Sequence, residues 1–359
     1  MTGACTGQLL QATLAAIGPA SGQAYQQALT RWNGIAKPLD GLGMLERIVC
    51  RIAAASGSAD VRVGKRALAV FCADNGVVAE GVSQSDASVT AVVARNLCEQ
   101  ATSVCRMGAF AGCEVVGVDV GMLQDIDDAR LLVRKCANGT ANIAHGPAMT
   151  RAQAEFALEQ GITLAGAWAA QGHGLLAAGE MGIGNTTTSA AVACALLGER
   201  PEAMTGRGAG LSTAALQRKV EVVGRALQVN QPDADDVVDV LAKVGGYDIA
   251  ALCGFYLGAA ANRVPVILDG FISCVAALCA ARLAPDALGY LIASHVSTEP
   301  AARRVLRELG LEAPLHAQMH LGEGTGAAAL MPLIDSALAV YSEGRSFSDS
   351  GMAAYEELV

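Results

Sequence analysis

The chain has 359 residues, a formal net charge of −9 and a sequence pI of about 5.1. This length suits one large domain or two modest ones. The acidic balance argues against nucleic acid and anionic membrane surfaces as partners. No uninterrupted apolar stretch reaches the roughly 18 residues of a membrane span, and the N-terminus lacks the basic and apolar regions of a secretory signal. We therefore expect a cytoplasmic protein with no membrane partner.

Eleven cysteines are present, and no two of them form a C-x-x-C pair. Most lie inside apolar runs, where a reduced cysteine packs as a small hydrophobic residue. A disulfide framework or a metal site is the alternative. We expect buried thiols in a reducing compartment, and neither a metal nor another cofactor.

The first 60 or so residues indicate helices over 8–16, 21–31 and 42–55. Short apolar runs that end in polar or glycine residues then predict strands over 66–73, 114–118, 174–179, 264–268 and 290–293. Helical patterns cover 88–99, 151–171, 187–197, 213–228, 235–243, 271–283 and 300–309. The alternation predicts an α/β fold with a parallel sheet and flanking helices. In such a sheet, ligands bind in the loops beyond the carboxyl ends of the strands.

A last apolar helix is predicted over 325–341, where it can pack with the N-terminal helices. We therefore expect a small helical subdomain built from both chain ends, 1–60 and 327–359. The α/β catalytic domain is expected to span 61–326.

The densest candidate loop is GEMGIGNTTT over 179–188, which contains Glu180 and precedes a predicted helix. Its glycines let a ligand approach the backbone closely. The helix that follows would direct free amides and its positive dipole end at an anion. The alternative is an ordinary capped loop, but three glycines and a carboxylate favour phosphate binding.

A second glycine run, GRGAGLS over 206–212, precedes the helix that carries Lys219. Its spacing is not that of a dinucleotide fingerprint and it does not clearly follow a strand. Lys219 has the charge that a monophosphate needs. Taken alone, however, a helical lysine of this kind is more typical of a solvated surface.

The third loop is LGEGTGA over 321–327, where glycines flank Glu323. In an apolar pocket the pKa of this carboxyl would rise, and it would serve as a general base near neutral pH. A surface turn is the alternative. Asp74 and Asp269 end predicted strands and are candidates for ribose or structural contacts.

His316 and His320 are four residues apart and would share one face if this segment were helical. A metal site would follow from that arrangement, but Ala317 replaces the glutamate of an H-E-x-x-H motif. We expect structural or solvent-exposed histidines here.

Long segments of the chain resemble one family, the nicotinate-nucleotide–dimethylbenzimidazole phosphoribosyltransferases of the cobamide pathway. The similarity runs from about Lys37 to about Asp335. It is carried by KPLDGLGMLE, ADNGVVAEGVS, NGTANIAHGPAMTRAQAE (which departs from the family pattern at its start), GEMGIGNTT, KVGGYD, LDGFIS, ASHVSTE and LGEGTGAA. The resemblance implies a Rossmann-like sheet with a small helical domain, and a homodimer.

The resemblance also implies the substrates, nicotinate mononucleotide and an aromatic lower-ligand base. Glu323 is then the general base, and Glu180 is the second carboxylate, near the ribose. Ser85 falls where the family places a residue of the base pocket. The residues that would hold the nucleotide and its phosphate are Gly182, Asn185, Thr186, Gly208 and Lys219, and Asp269 joins them as a candidate substrate contact.

Two positions depart from the family pattern. Asn75 stands where ADHG is common, and Val93 stands where a glutamine often lines the base pocket. Both departures are expected on the base side, so they predict an altered base preference, for a phenol, a purine or a differently substituted benzimidazole. Relatives that use phenols work as heterodimers, so a similar partner chain is an alternative to the homodimer.

Two other classes of function are alternatives. A non-catalytic nucleotide-binding subunit would be expected to lack the carboxylate of LGEGTGA, whereas Glu323 is present. A nucleotide-dependent oxidoreductase would need G-x-G-x-x-G after the first strand with an acid about 20 residues on, and that pattern is missing.

Overall fold

Six parallel strands form one sheet in the computed structural model, which describes residues 7–135 and 137–355. The strands are β1 (Lys65–Ala73), β2 (Glu114–Gly121), β3 (Leu132–Val133), β4 (His173–Met181), β5 (Val266–Leu268) and β6 (Leu291–Ala293). Their spatial order is β3-β2-β1-β4-β5-β6, the order of a Rossmann sheet. The predicted α/β class and Rossmann-like sheet are therefore confirmed.

Helices flank this sheet. Those before β4 are α1 (Gln8–Ala16), α2 (Gly22–Gly34), α3 (Met44–Ser56), α4 (Ser88–Cys98), α5 (Ser103–Phe110) and α6 (Arg151–Ala170). Those after β4 are α7 (Asn185–Leu197), α8 (Pro201–Met204), α9 (Thr213–Asn230), α10 (Val237–Val244), α11 (Tyr247–Ala261), α12 (Phe271–Leu283), α13 (Ala302–Glu308) and α14 (Thr325–Glu343). Short 3₁₀ turns cover Gly76–Glu80 and Pro285–Tyr290.

All five predicted strands are present, and every predicted helix has a counterpart. The sequence pattern missed α5, α8, α11 and the two-residue strand β3. α11 is the informative omission, because nearly all of it is buried between α6, α12 and the sheet. A helix buried on all sides has no polar face, so it lacks the 3.6-residue periodicity by which helices are recognised.

The C-terminal helix α14 is the one described helix that is long and apolar enough to span a membrane by length and composition. Half of it is buried inside the fold, where it packs on α3, α5, β4 and β5. Asp335 on this helix pairs with Arg66 at the start of β1. α14 contacts α3 and also the sheet. The division into a helical subdomain (1–60 and 327–359) and a catalytic domain (61–326) stays a prediction.

Nine of the cysteines lie in the described part of the chain, and all nine are buried free thiols. Cys5 and Cys136 lie outside the described residues. Burial raises the pKa of Cys50 to about 11 and those of Cys113 and Cys279 to about 12, so these thiols stay protonated and unreactive near neutral pH.

The order in which strands are added to the sheet reverses between β1 and β4. The strands β2 and β3 lie on one side of this pair, and β5 and β6 lie on the other. A crevice opens at the carboxyl ends of the strands at such a switch point. Asp74 to Gly76 leave β1 there, and Glu180 lies near the end of β4. The sheet order thus brings together loops that are far apart in the sequence.

Candidate active site

A cleft with a cavity volume of about 170 Å³ lies at this edge of the sheet, where ligands bind in open α/β sheets. Three glycine-containing loops border it, after β4, before α9 and before α14. Seven of the predicted site residues line the cleft: Glu180, Gly182, Asn185, Thr186, Gly208, Lys219 and Asp269. Glu323 and Ser85 lie next to lining residues, Gly322 and Gln84 respectively.

Glu180 lies near the end of β4, where its side chain is buried. One of its carboxylate oxygens accepts a hydrogen bond from the side-chain amide of Asn185, the first residue of α7. Burial, and next the carboxylate of Asp248, raises the pKa of Glu180 to about 8. A carboxyl in this environment is largely protonated at neutral pH.

Glu323 lies in the loop before α14, and its backbone amide donates to the Glu180 carbonyl oxygen at 3.2 Å. Its backbone is left-handed, with φ of 59°, a conformation that is uncommon for residues other than glycine and that collects at functional sites. Its Oε2 atom is buried and has no hydrogen-bond partner among the described residues. Burial, and then the carboxylate of Asp269, raises the pKa of Glu323.

Asp269 follows β5 and holds this loop in place. Its two carboxylate oxygens accept the amides of Gly324 at 3.0 Å and Gly326 at 2.7 Å. His295, just after β6, places Nδ1 3.9 Å from the same carboxylate. The loop that carries Glu323 is thereby fixed to the ends of two strands.

Lys219 on α9 is fully buried, and its Nζ atom donates to the Thr186 hydroxyl at 2.7 Å. The expectation that this residue, considered alone, is a solvated surface lysine is wrong. Burial lowers its pKa to about 8, and Glu299 opposes that shift. The glycine run over 206–212 brings Gly208 to this end of the cleft, where Glu299 accepts the Gly208 amide at 2.8 Å.

The sequence predicts that the first turn of α7 directs free backbone amides at an anion, but two of these amides are already hydrogen-bonded. The Asn185 amide donates to the Gly182 carbonyl at 3.1 Å, and the Thr187 amide donates to the Gly184 carbonyl at 2.9 Å. Gly184, with φ of 91°, closes these tight turns just before the helix. An anion at this end of the cleft would therefore depend on side chains such as Lys219 as well as on the backbone.

Four titratable residues that border or support the cleft were given no role by the sequence patterns. They are Asp248 at the start of α11, His295, Glu299 and Arg207. Asp248 lies in KVGGYD and Glu299 in ASHVSTE, where the signal was family resemblance, whereas His295 directly follows the end of a predicted strand. Asp248 reaches the site from a helix, and His295, Glu299 and Arg207 reach it from loops, so the tertiary fold brings them together.

His316 and His320 lie on an exposed non-helical segment, so the helical face required for a metal pair does not exist. Asp74 is buried and accepts the Leu123 amide at 2.8 Å, which is a structural contact. Asn75 is also buried and donates to the Ile183 carbonyl at 3.4 Å, so it supports the loop after β4. Val93 is half-buried on α4. Asn75 and Val93 are both outside the described lining of the cleft.

Gly322 lies where the loop that carries Glu323 comes close to the Glu180 side chain, so a substitution there tests this close approach. Its φ is 85°, and a Cβ atom added there would lie 2.8 Å from Glu180 Oε1. We expect Gly322→Ala to lower the free energy of unfolding by about 1–3 kcal/mol and to reduce kcat, because the loop must shift away from Glu180. Thermal unfolding and turnover would be measured beside Gly18→Ala, where nothing lies within 4 Å of the added methyl group. Unchanged stability and turnover in Gly322→Ala would contradict the assigned geometry.

Known proteins match this chain over nearly its whole length. The sequence model of a family described as Phosphoribosyltransferase matches residues 17–352. The nicotinate-nucleotide–dimethylbenzimidazole phosphoribosyltransferase of Acetivibrio thermocellus is 43% identical over 351 residues, which are 98% of this chain and 100% of the relative. The enzyme of the same name from Escherichia coli is 44% identical and covers 92% of this chain, with 91% of its own length matched.

The same relationship holds in three dimensions. The crystal structure of CobT from Thermus thermophilus superposes with a TM-score of 0.88 at 40% sequence identity, covering 93% of this chain and 100% of that one. Similarity at this level over full-length chains requires both a common fold and common ancestry. The chain belongs to the nicotinate-nucleotide–dimethylbenzimidazole phosphoribosyltransferase family.

Proposed function

We propose that this protein transfers the phosphoribosyl group of nicotinate mononucleotide to an aromatic lower-ligand base, releasing nicotinate. The names of its relatives supply the reaction. One observation carries the proposal for this chain: a single cleft combines the buried cation Lys219 with the pKa-raised carboxyl Glu180, and Glu323 adjoins it. Those groups suit a substrate that has a phosphate at one end and a cationic ring at its reacting centre.

The phosphate is assigned to the Lys219 end. A protonated lysine hydrogen-bonded to Thr186 offers an ammonium and a hydroxyl from two helices. A phosphate would restore the solvation that burial removes from the ammonium and would raise its pKa again. Gly208, held by Glu299, adds a backbone segment with little bulk beside the phosphate.

The pyridinium and ribose are assigned to the carboxylate end. Nicotinate mononucleotide carries a positive charge on the ring nitrogen at C1′, so the carboxylates of Asp269 and Glu323, beside the largely protonated Glu180, provide an environment of opposite polarity. The positive ring is already a good leaving group. The chain must therefore orient the two reactants and remove one proton.

The chemical step is a substitution at C1′. A ring nitrogen of the incoming azole forms the new bond to C1′ while the C1′–pyridinium bond breaks, and its electron pair returns to the nicotinate ring. Glu323 accepts the N–H proton of the azole, since its Oε2 atom has no other partner among the described residues. Attack from the opposite face inverts C1′ and yields the α-ribotide.

The direct test is incubation of the protein with nicotinate mononucleotide and 5,6-dimethylbenzimidazole, followed by chromatography of the products. We expect equal amounts of nicotinate and the α-ribotide. Release of nicotinate without a ribotide would indicate hydrolysis, and no consumption of the nucleotide with any base would overturn the proposal.

The acceptor is expected to differ from that of a protein with glutamine at position 93. Val93 lies outside the described lining of the cleft, but its helix α4 borders the cleft, since Thr90 Oγ1 accepts the amide of the lining residue Ile183 at 3.3 Å. A valine offers no hydrogen bond to a base that extends towards α4, so we expect adenine and p-cresol to compete with 5,6-dimethylbenzimidazole. Ribotide yields from equimolar base mixtures would measure this preference. Val93→Gln should shift it, whereas Val92→Gln, at a more exposed position of the same helix, should not. A clear preference of the unmodified protein for dimethylbenzimidazole would refute the altered specificity.

A homodimer in the cytoplasm is the proposed working state, with a heterodimer of two similar chains as the alternative. Nine buried reduced thiols support a reducing compartment. Sedimentation equilibrium of the purified chain would give its oligomeric state. A monomer that is inactive alone would favour the heterodimer.

A further inference from the structure

Asp248 is a buried carboxylate that the proposed chemistry leaves without a role. It lies in the first turn of α11 and is fully inaccessible to solvent. A buried carboxylate is costly unless it is paired, hydrogen-bonded or protonated. The polar partners of Asp248 therefore indicate what it does.

The principal partner is the side-chain amide of Asn185. This single nitrogen donates to Asp248 Oδ2 at 2.8 Å and also to Glu180 Oε2. An amide nitrogen has two hydrogens, so both are used and two carboxyl groups face one donor. Gly182 closes the same cluster, since a Cβ atom there would lie 2.8 Å from Asp248 Oδ2.

Two carboxyl groups this close in a buried site do not ionise together, so one of them retains a proton. Asp248 is the better place for the negative charge. Its other oxygen accepts the Ile249 amide at 3.0 Å, and the N-terminal turn of a helix favours an anion. Glu180 instead faces the negative groups Asp269 and Glu323.

We propose that Asp248 is a positioning residue for Glu180: acting through the Asn185 amide, it fixes both the orientation and the charge of the Glu180 carboxyl. Glu180 then meets the ribose as a hydrogen-bond donor, while Glu323 remains free to accept a proton. The inference rests on the proposed phosphoribosyl transfer. The order of the two pKa values, about 6 for Asp248 and about 8 for Glu180, agrees with it.

The test is the pH dependence of kcat in Asp248→Asn, an isosteric change that removes the charge. The titratable groups that face Glu180 are Asp248, Asp269, Glu323 and Cys72, and Asp248 also faces Asp74. Loss of the Asp248 charge lowers the pKa of Glu180, so Glu180 loses its proton at lower pH. We expect the alkaline limb of kcat, near pH 8 in the unmodified protein, to move down by roughly one unit.

The measurement uses saturating nicotinate mononucleotide, because kcat then reports the substrate complex, in which the phosphate keeps Lys219 charged. Asp119→Asn is the matched control, since Asp119 is an equally buried aspartate that accepts two backbone amides at the end of β2. Its alkaline limb should stay in place. If the wild type is active and the alkaline limb of kcat in Asp248→Asn does not shift, only this inference is overturned. If the wild type forms no ribotide, the proposed function is overturned.

A second measurement applies even if Asp248→Asn does not fold. Infrared spectroscopy of the wild type at about pH 7, between the two pKa values, should show the carbonyl band of a buried protonated carboxyl, and Glu180→Gln should remove it. A wild type without such a band, or with a band that survives Glu180→Gln, would overturn the assignment.

Discussion

Replacing Glu323 with glutamine is expected to lower kcat by roughly 10²–10⁴-fold, the usual contribution of a positioned general base. Glutamine keeps the shape of the side chain but cannot accept the azole proton. The Oε2 atom makes no hydrogen bond within the described chain, so the substitution breaks no contact of the fold. The KM for nicotinate mononucleotide should therefore change little, and the melting temperature should stay close to that of the unmodified protein.

Single-turnover kinetics at saturating nucleotide and base would measure this effect without interference from product release. Glu312→Gln is the control, because Glu312 is exposed and does not line the cleft. A Glu323→Gln protein that retains kcat within a few-fold of wild type would exclude Glu323 as the base. The pH profile gives an independent check, since burial raises the pKa of Glu323. The acid limb of kcat should depend on this group and be lost in Glu323→Gln.

Replacing Lys219 with methionine is expected to separate substrate binding from stability. A hydrogen bond to a charged group contributes about 1.5–3 kcal/mol, so the KM for nicotinate mononucleotide should rise on the order of 10–100-fold. Methionine fills similar space without a charge, and the buried ammonium carries a desolvation penalty in the free protein. The melting temperature of Lys219→Met should therefore equal or exceed that of wild type.

The sign of the pH dependence follows from the pKa of Lys219, which falls from 10.5 to about 8 on folding. The unfolded chain binds this proton more tightly, so Lys219 costs stability below pH 8, and the cost fades as the pH rises towards 10.5. The stability gained in Lys219→Met should be largest below pH 8. Denaturant titrations at several pH values would measure it, with the exposed Lys65→Met as control. A destabilised Lys219→Met with unchanged KM would assign this lysine a structural role.

The sequence alone determined the parallel α/β sheet, because each of its main strands is a short apolar run followed by polar or glycine residues. It also located the loops around Glu180, Lys219 and Glu323, since glycines beside charged residues are conspicuous in any chain. The family followed from long motifs such as GEMGIGNTT and LGEGTGAA. These features are local, and local patterns are what a linear sequence displays.

Tertiary structure alone decided how those loops act on one another. Lys219 looks like a solvated helical residue in the sequence but is fully buried against Thr186. The hydrogen bond from Asn185 to Asp248 joins residues 63 positions apart in the sequence. Asp248 lies on α11, a buried helix without the polar face by which helices are recognised in a sequence. Burial and the proximity of like charges set the protonation of Glu180 and Asp248, and both quantities exist only once the helices have packed on the sheet.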